Sequence, residues 1–348
     1  MKVTQAKKIA HLNFASGYRG GERQTTLLIQ ELAARGYLQQ LFTRIGSQLA
    51  KRCAGIDNLE ITEIARPYIF SFYKFKTADI IHAHETKGAQ VAFLVYKLFN
   101  TPYVVTRRVD NKIKKNPFTR GMYSRASYII GLSNAIKTVI LLAAPRASVA
   151  VIPSAQTDFS IDPAQVEKLQ KRFVGKFLVG NIGELHNAHK GQFYLIESIK
   201  RIALEYPDIH FIFLGKGVDK EKYQLQAQGL KNVTFEGFVD NVGDYISCLQ
   251  LFVFPSLNEG LGSILLDVMK LKVPVIASNV GGIPDIVKDQ VTGVLVEPRD
   301  SEAIYQNIVK LYTDRKFAGQ LSERAYDNTF NYAASNMCDA YQDLYNTM

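Results

Sequence analysis

The feature that most constrains this chain is an alternation of short, nearly continuous apolar runs with helix-patterned stretches, and it occurs twice. In the first half Ile9-Ala10-His11-Leu12-Asn13-Phe14, Leu41-Phe42-Thr43, Ile80-Ile81-His82-Ala83-His84, Tyr103-Val104-Val105-Thr106 and Tyr128-Ile129-Ile130-Gly131-Leu132 read as buried strands. Residues 26–33 have helical spacing that stops at Gly36, and Ser133 is placed to cap the helix after the last run. The second half restarts with strand candidates at 177–182, 209–214, 251–254, 273–277 and 293–296, and with a helix from about 191 to 205. Strands that are apolar on both faces, joined by helical crossovers, belong to parallel sheets covered on both sides. Two such sheets predict an α/β chain of two doubly wound domains facing a central cleft. The 348 residues fit that count at about 150 per domain. The linker is read at Ile152-Pro153-Ser154-Ala155-Gln156-Thr157-Asp158, giving domains 1–155 and 156–327. The stretch from Tyr326 to Met348 is helical in pattern, and a helix at about 328–348 is expected to pack back on the first domain.

Charge separates the halves. Residues 1–155 hold 23 Lys and Arg against 8 Asp and Glu, whereas the remainder holds 19 against 24. A basic half beside a mildly acidic one points to an anionic partner for the first half alone. Two segments concentrate the effect. Arg66-Pro67-Tyr68-Ile69-Phe70-Ser71-Phe72-Tyr73-Lys74-Phe75-Lys76 interleaves aromatics with cations. Arg107, Arg108, Lys112, Lys114, Lys115, Arg120 and Arg125 run past Phe118 and Tyr123. Such a mixture suits the surface of an anionic membrane, and nucleic acid would use the same residue types. The plainer reading is a solvated basic face with the aromatics in the core.

Hydrophobic residues at 47% and charged residues at 21% exclude a disordered or fibrous chain. Cys53, Cys248 and Cys338 have neither metal-site nor redox spacing and read as buried reduced thiols. The opening Met1-Lys2-Val3-Thr4-Gln5-Ala6-Lys7-Lys8 lacks a secretory pattern. No apolar stretch reaches the ~18 residues of a membrane span. A cytoplasmic protein, peripheral at the inner membrane face, is therefore expected.

Two segments carry the chemistry. Gly17-Tyr18-Arg19-Gly20-Gly21-Glu22 lies between the first strand and the first helix, where backbone amides and the helix dipole face a ligand. It is not the G-x-G-x-x-G fingerprint, and alone it reads equally as a tight turn. Pro255-Ser256-Leu257-Asn258-Glu259-Gly260-Leu261-Gly262-Ser263-Ile264-Leu265-Leu266-Asp267 takes a strand end through an acid and two glycines into a helix. Glycine amides there can hold phosphate while Glu259 and Asp267 accept hydrogen bonds from sugar hydroxyls. Otherwise Glu259 is an N-terminal helix acid and Asp267 a solvent residue. His84 could be an ordinary satisfied core histidine, and His82 is expected to face the opposite side of its strand.

Glu259-x7-Asp267, with Val273-Pro274-Val275-Ile276-Ala277-Ser278-Asn279-Val280-Gly281-Gly282-Ile283-Pro284-Asp285 and Gly293-Val294-Leu295-Val296, resembles the retaining nucleotide-sugar glycosyltransferases of the two-Rossmann-domain (GT-B) type. The family is glycosyltransferase family 4, the glycosyl transferases group 1, and the likeness extends to its lipopolysaccharide and surface-glycan members. The resemblance implies that amides of Gly20 and Gly21 touch the donor's distal phosphate, and that His84 hydrogen-bonds the transferring sugar. It implies Lys190 on the diphosphate, Glu259 on the donor sugar, and the amides of Gly260, Leu261 and Gly262 on sugar and phosphate. Asp267 takes the place of the acid that binds the ribose. Val233-Thr234-Phe235-Glu236-Gly237-Phe238-Val239 and Gly215-Lys216-Gly217 match elements beside the base. The chain departs from the family twice: Asp267 stands where Glu is usual, and Glu184 where an Arg often follows the glycine. Arg19, Arg23 or Arg107 would then supply the missing cation.

No Asp-x-Asp motif occurs in the sequence, so the charge developing on a nucleotide diphosphate is expected to meet Lys190 and backbone amides, with no metal and no other cofactor. The resulting expectation is metal-independent, retaining transfer from a nucleotide sugar, UDP-linked before GDP- or ADP-linked. The acceptor is an anionic, lipid-linked or lipopolysaccharide-core glycan, recruited by Arg107, Arg108, Lys112, Lys114 and Lys115. A nucleotide-sugar epimerase or hydrolase of the same architecture is the competing enzyme. A nucleic-acid-binding protein would leave the Glu259–Asp267 segment unexplained.

Overall fold

The structure, a computed structural model, describes residues 7–348. Met1 to Ala6, on which the reading of the missing leader largely rests, lie outside the described residues. The described residues fall into two compact units, one of residues 7–155 with 332–348 and another of residues 156–331. Among the described residues each unit holds one parallel sheet.

The first sheet comprises β1 (Ile9–Asn13), β2 (Gln39–Arg44), β3 (Leu59–Ile64), β4 (Ile80–Ala83), β5 (Tyr103–Arg107), β6 (Tyr128–Gly131) and β7 (Val149–Val151). Their order is β3-β2-β1-β4-β5-β6-β7. The second comprises β8 (Phe177–Ile182), β9 (Ile209–Leu214), β10 (Val233–Gly237), β11 (Leu251–Phe254), β12 (Val275–Ser278) and β13 (Val294–Val296), ordered β10-β9-β8-β11-β12-β13. Both are doubly wound. The order reverses between β1 and β4, and again between β8 and β11, and doubly wound sheets bind ligands beyond the strand ends at such reversals.

The central strands are the ones their apolar runs announce: β1, β4, β8 and β11 are buried along nearly their whole length. The edges differ. β3 (Leu-Glu-Ile-Thr-Glu-Ile) is mostly part-exposed and has no continuous apolar run to read, and β7 (Val-Ala-Val) is part-exposed and only three residues long. The first helix, α1 (Gly20–Ala34), begins six residues before the expected start. The Glu22 carboxylate accepts the Arg19 backbone N–H at 2.9 Å, so an acid serves the helix entrance that the glycines had suggested was a loop. Ser133 caps its helix as expected, its hydroxyl accepting from the Ile136 amide.

The stretch after Tyr326 is not one helix. Helix Arg315–Thr329 ends in a short 3-10 turn, Phe330–Tyr332, before helix Ala334–Asn346. The break coincides with the boundary between the units. Met337, Cys338, Tyr341 and Tyr345 of that last helix join Ile9, Leu28, Leu32, Ile80, Val104 and Ile130 in one apolar core. The second unit's core gathers around Phe177, Leu195, Ile199, Phe211, Phe213 and Ile308. All three cysteines are free and buried.

Candidate functional site

At the reversal of the second sheet, the segments after β8 and β11 meet. Residues 183–191 leave β8 through a short helix, Asn187–Lys190, that ends at Gly191 with φ +61°. A Cβ at Gly191 would come 2.1 Å from the Pro255 carbonyl oxygen, so only glycine lets this turn lie against the end of β11. The Leu257 amide donates to the His189 carbonyl oxygen at 2.8 Å, which fastens one loop to the other. Lys190 and Glu259 are thereby brought into an ion pair, their side chains only 22% and 17% exposed. The Lys190 ammonium also lies 5.2 Å from the centre of the Phe254 ring. A cation held between a carboxylate and an aromatic face is positioned before any ligand arrives, and it is poised to exchange part of its carboxylate contact for a phosphate.

The rest of this site follows the same loops. Gly260, Leu261 and Gly262 are buried, and the Gly282 amide donates to the Glu259 carbonyl oxygen at 3.0 Å. Asp267 is no solvent residue: it is 4% exposed, and its carboxylate accepts the Thr157 amide at 2.7 Å. Gly215 has φ +141°, and a Cβ there would fall 1.8 Å from the Gly183 carbonyl oxygen, which seats the turn after β9 against the turn after β8. Val239 is half-buried beside the exposed Phe238, whose ring carries the Lys216 ammonium at 5.3 Å. Glu184 is exposed. The sequence reading missed Asn181 Oδ1, near the end of β8, and Ser256 Oγ, just after β11, which among the described residues are buried without a hydrogen-bond partner. For Asn181 the signal was present, since a polar residue inside an apolar strand breaks the local pattern; Ser256 sits in the loop after β11, where a serine breaks no pattern.

The first sheet's reversal carries Gly20, Gly21 and His84. Gly20 opens α1, and Gly21 faces the Arg108 stem, whose Cδ lies 3.1 Å from the position a Cβ would take. His84 follows β4 and is 3% exposed. Here one expectation fails. Residues two apart on a strand share a face, so His82 points the same way as His84, their ring centres 3.9 Å apart. Parallel pairing sets His11 of β1 directly beside His82. His11 Nδ1 and His84 Nε2 are 3.0 Å apart, and His11 Nε2 is 3.0 Å from Gln39 Oε1. His82 meets the Tyr345 hydroxyl at 2.6 Å and the Thr106 hydroxyl at 2.7 Å. Burial pushes His11 down to about 4, and burial with the neighbouring rings and Arg108 holds His82 and His84 well below the usual imidazole range. One nitrogen of each ring lies within 4.8 Å of the others, a spacing that could hold a metal ion. Hydrogen bonds already engage most of these nitrogens.

The five basic residues expected on an acceptor surface divide. Lys112, Lys114 and Lys115 are exposed, on an irregular segment that also exposes Val109 and leads to the exposed Phe118. Arg107 and Arg108 turn inward. Arg107 donates to the Asn111 carbonyl oxygen at 2.5 Å, which braces the loop, and Arg108 points to the Thr25 hydroxyl at 3.5 Å. Arg107 ends β5 and Arg108 follows it, both part-exposed, with their stems packed against the fold. In the segment 66–76 the chain forms a 3-10 helix, Tyr68–Phe75, that buries Tyr68 and Phe75 but exposes Ile69, Phe70 and Tyr73 beside Lys74 and Lys76.

Two doubly wound Rossmann-like units with their polar residues gathered at the sheet reversals define the fold of the GT-B glycosyltransferases. The family model described as "Glycosyl transferases group 1" matches residues 176–314, which lie within the second unit. The capsular polysaccharide biosynthesis glycosyltransferase CapM of Staphylococcus aureus is 29% identical over 54% of this chain and 51% of its own length. The lipopolysaccharide core biosynthesis glycosyltransferase LpsE of Rhizobium meliloti is 24% identical over 97% of this chain and 98% of its own. With the first relatives matched, the chain spans about half of their length or less. Anabaena Alr3699/HepE, solved in complex with UDP and with UDP-glucose, has the same fold, with a TM-score of 0.87 for the UDP complex at 17% identity over 98% of this chain and 100% of that one. Among the described residues, no helix is long and apolar enough to cross a membrane.

Proposed function

We propose that this protein is a glycosyltransferase that moves a sugar from a nucleotide diphosphate, UDP before GDP or ADP, onto a lipid-linked or lipopolysaccharide-core glycan with retention of configuration. The observation that carries the reading is the Lys190–Glu259 pair, held between β8 and β11 inside the segment that matches the family. The leaving diphosphate develops negative charge, and Lys190 with the buried amides of residues 260–262 answers it. Glu259 accepts hydroxyls of the donor sugar, and Asp267 accepts from the ribose. His84 binds the transferring sugar, and Gly20 and Gly21 present amides at the entrance of α1 to the distal phosphate. Val239 and Gly215 line the base. Lys190 in the diphosphate's counterion role makes a divalent ion unnecessary for leaving-group departure, and retention follows from attack on the face the diphosphate leaves. The exposed lysines and aromatics of the first unit suit an anionic acceptor at a membrane surface.

The test is thermal denaturation with UDP-, GDP- and ADP-sugars, because a ligand that binds only the native state raises its stability by mass action. One class should raise the midpoint, and Lys190→Ala and Glu259→Ala should each abolish the rise. No shift with any donor would refute the reading. Steady turnover of the donor without acceptor would instead favour an epimerase or hydrolase.

A further inference from the structure

The histidine cluster contains a hydrogen-bond chain whose direction is fixed at one end. Gln39 Nε2 donates to the Ile29 carbonyl oxygen at 3.0 Å, and a carbonyl can only accept. That contact sets the Gln39 amide, so its Oε1 is the atom facing His11 Nε2. His11 Nε2 must therefore carry a proton. Burial keeps His11 neutral, so its Nδ1 is bare and accepts. The partner of that nitrogen is His84 Nε2, which must then be the protonated one. Neutral His84 has one proton to place, and its Nδ1 is left bare. Among the described residues that Nδ1 is buried with no hydrogen-bond partner.

We propose that Gln39 and His11 are positioning residues that hold His84 in its Nε2–H tautomer and so make its Nδ1 an acceptor for a hydroxyl of the donor sugar. The proposal rests on the reading of His84 as a donor-sugar contact. Burial gives the arrangement its strength, because an unsatisfied buried acceptor gains more from a correctly oriented hydroxyl than an exposed one does. It also confers selectivity, since a ligand presenting only an acceptor at that point gains nothing. His82 lies outside this hydrogen-bond chain: both its partners are hydroxyls, which can donate or accept, and its ring packs at a tilt against the His84 ring. A metal in the same cluster is the contrary arrangement, because binding through His84 Nε2 would require that nitrogen to be bare.

The experiment uses the full chain labelled with 15N-histidine, and two-bond 1H–15N spectra that assign each tautomer. His11 and His84 should both appear as Nε2–H. Gln39→Met, nearly isosteric, removes the anchor and should turn His84 into a mixture. His11→Asn places an amide oxygen where Nδ1 lies and should keep the wild-type tautomer. In parallel, Gln39→Met should weaken binding of UDP-glucose about tenfold, leave UDP within about twofold, and His11→Asn should recover the sugar-dependent part. His84 found as Nδ1–H, or one equivalent of zinc taken up by wild type and not by His84→Asn, overturns the relay. Tautomers as expected with UDP-glucose affinity unmoved in Gln39→Met overturns the acceptor role. Wild type that binds neither nucleotide refutes the glycosyltransferase reading instead, while the spectra still decide the relay.

Discussion

Three imidazoles buried beside one another within a parallel sheet must remain uncharged, and that makes stability depend on pH. Above pH 6.5 the folded and unfolded forms of His11 are both neutral. As pH falls, the unfolded ring takes a proton near its ordinary value, whereas the folded ring waits until about 4. Between those values the unfolded state binds more protons, so stability falls with pH across that window, by about 3 kcal/mol from His11 alone when the window is fully crossed. His82 and His84 are displaced in the same direction and steepen the loss. Urea midpoints measured between pH 8 and pH 4 should decline below 6.5, and His11→Asn should decline less; equal slopes would mean that His11 titrates normally. His84 was legible in the sequence as the polar end of an apolar run. The cluster was not, because it depends on which strand pairs with which: β1 and β4 are far apart in sequence and adjacent only through the sheet order. His82 was misread although strand geometry alone determines its side.

Elements follow the hydrophobic pattern wherever both their faces are covered. That is why β1, β4, β8 and β11 could be read and the edge strand β3 could not, while β7, apolar but three residues long, is too short to stand out. The start of α1 was hidden for a different reason: a glycine pair reads as a turn, and only the Glu22–Arg19 contact discloses a helix entrance. The Lys190 turn offers a test at this scale. Gly191→Ala places a methyl group on the Pro255 carbonyl oxygen and a side chain at φ +61°, and the backbone conformation alone costs about 1–2 kcal/mol. The overlap adds to that cost, and relieving it must move the turn off the end of β11, separating Lys190 from Glu259. The variant should melt earlier and also lose donor binding beyond what Lys190→Arg loses. Gly175→Ala, also at positive φ (+73°) but with no atom near the new methyl group, should melt earlier and keep donor binding. Equal donor affinity in the two glycine variants would mean that the turn does not place Lys190.

At the scale of the whole molecule the charge is divided as the sequence suggested, now along structural boundaries. The described residues of the first unit carry 22 Lys and Arg against 10 Asp and Glu, and those of the second 19 against 22. What sequence could not tell was which cations reach solvent, because that depends on the packing of the segment after β5. Lys112, Lys114 and Lys115 do fully, whereas Arg107 and Arg108 are only part-exposed and turn their guanidinium groups to Asn111 and Thr25. If the first unit meets an anionic membrane-borne acceptor, the three lysines should contribute about 1 kcal/mol each near the surface. Replacing all three with Ser should then weaken sedimentation with phosphatidylglycerol vesicles by about 150-fold at low salt. The wild-type advantage should shrink as ionic strength rises and the Debye length falls. Phe70→Ser with Tyr73→Ser should weaken binding at every salt concentration, because burial of aromatic surface is not screened. The Arg107 and Arg108 variants distinguish the two kinds of cation. Arg107→Gln or Arg108→Gln should alter thermal stability while leaving vesicle binding nearly unchanged, since both guanidinium groups are engaged by the fold's own acceptors. A basic half that acts only as a solvated face predicts the opposite pattern: wild type and the triple-lysine variant would both fail to sediment with the vesicles.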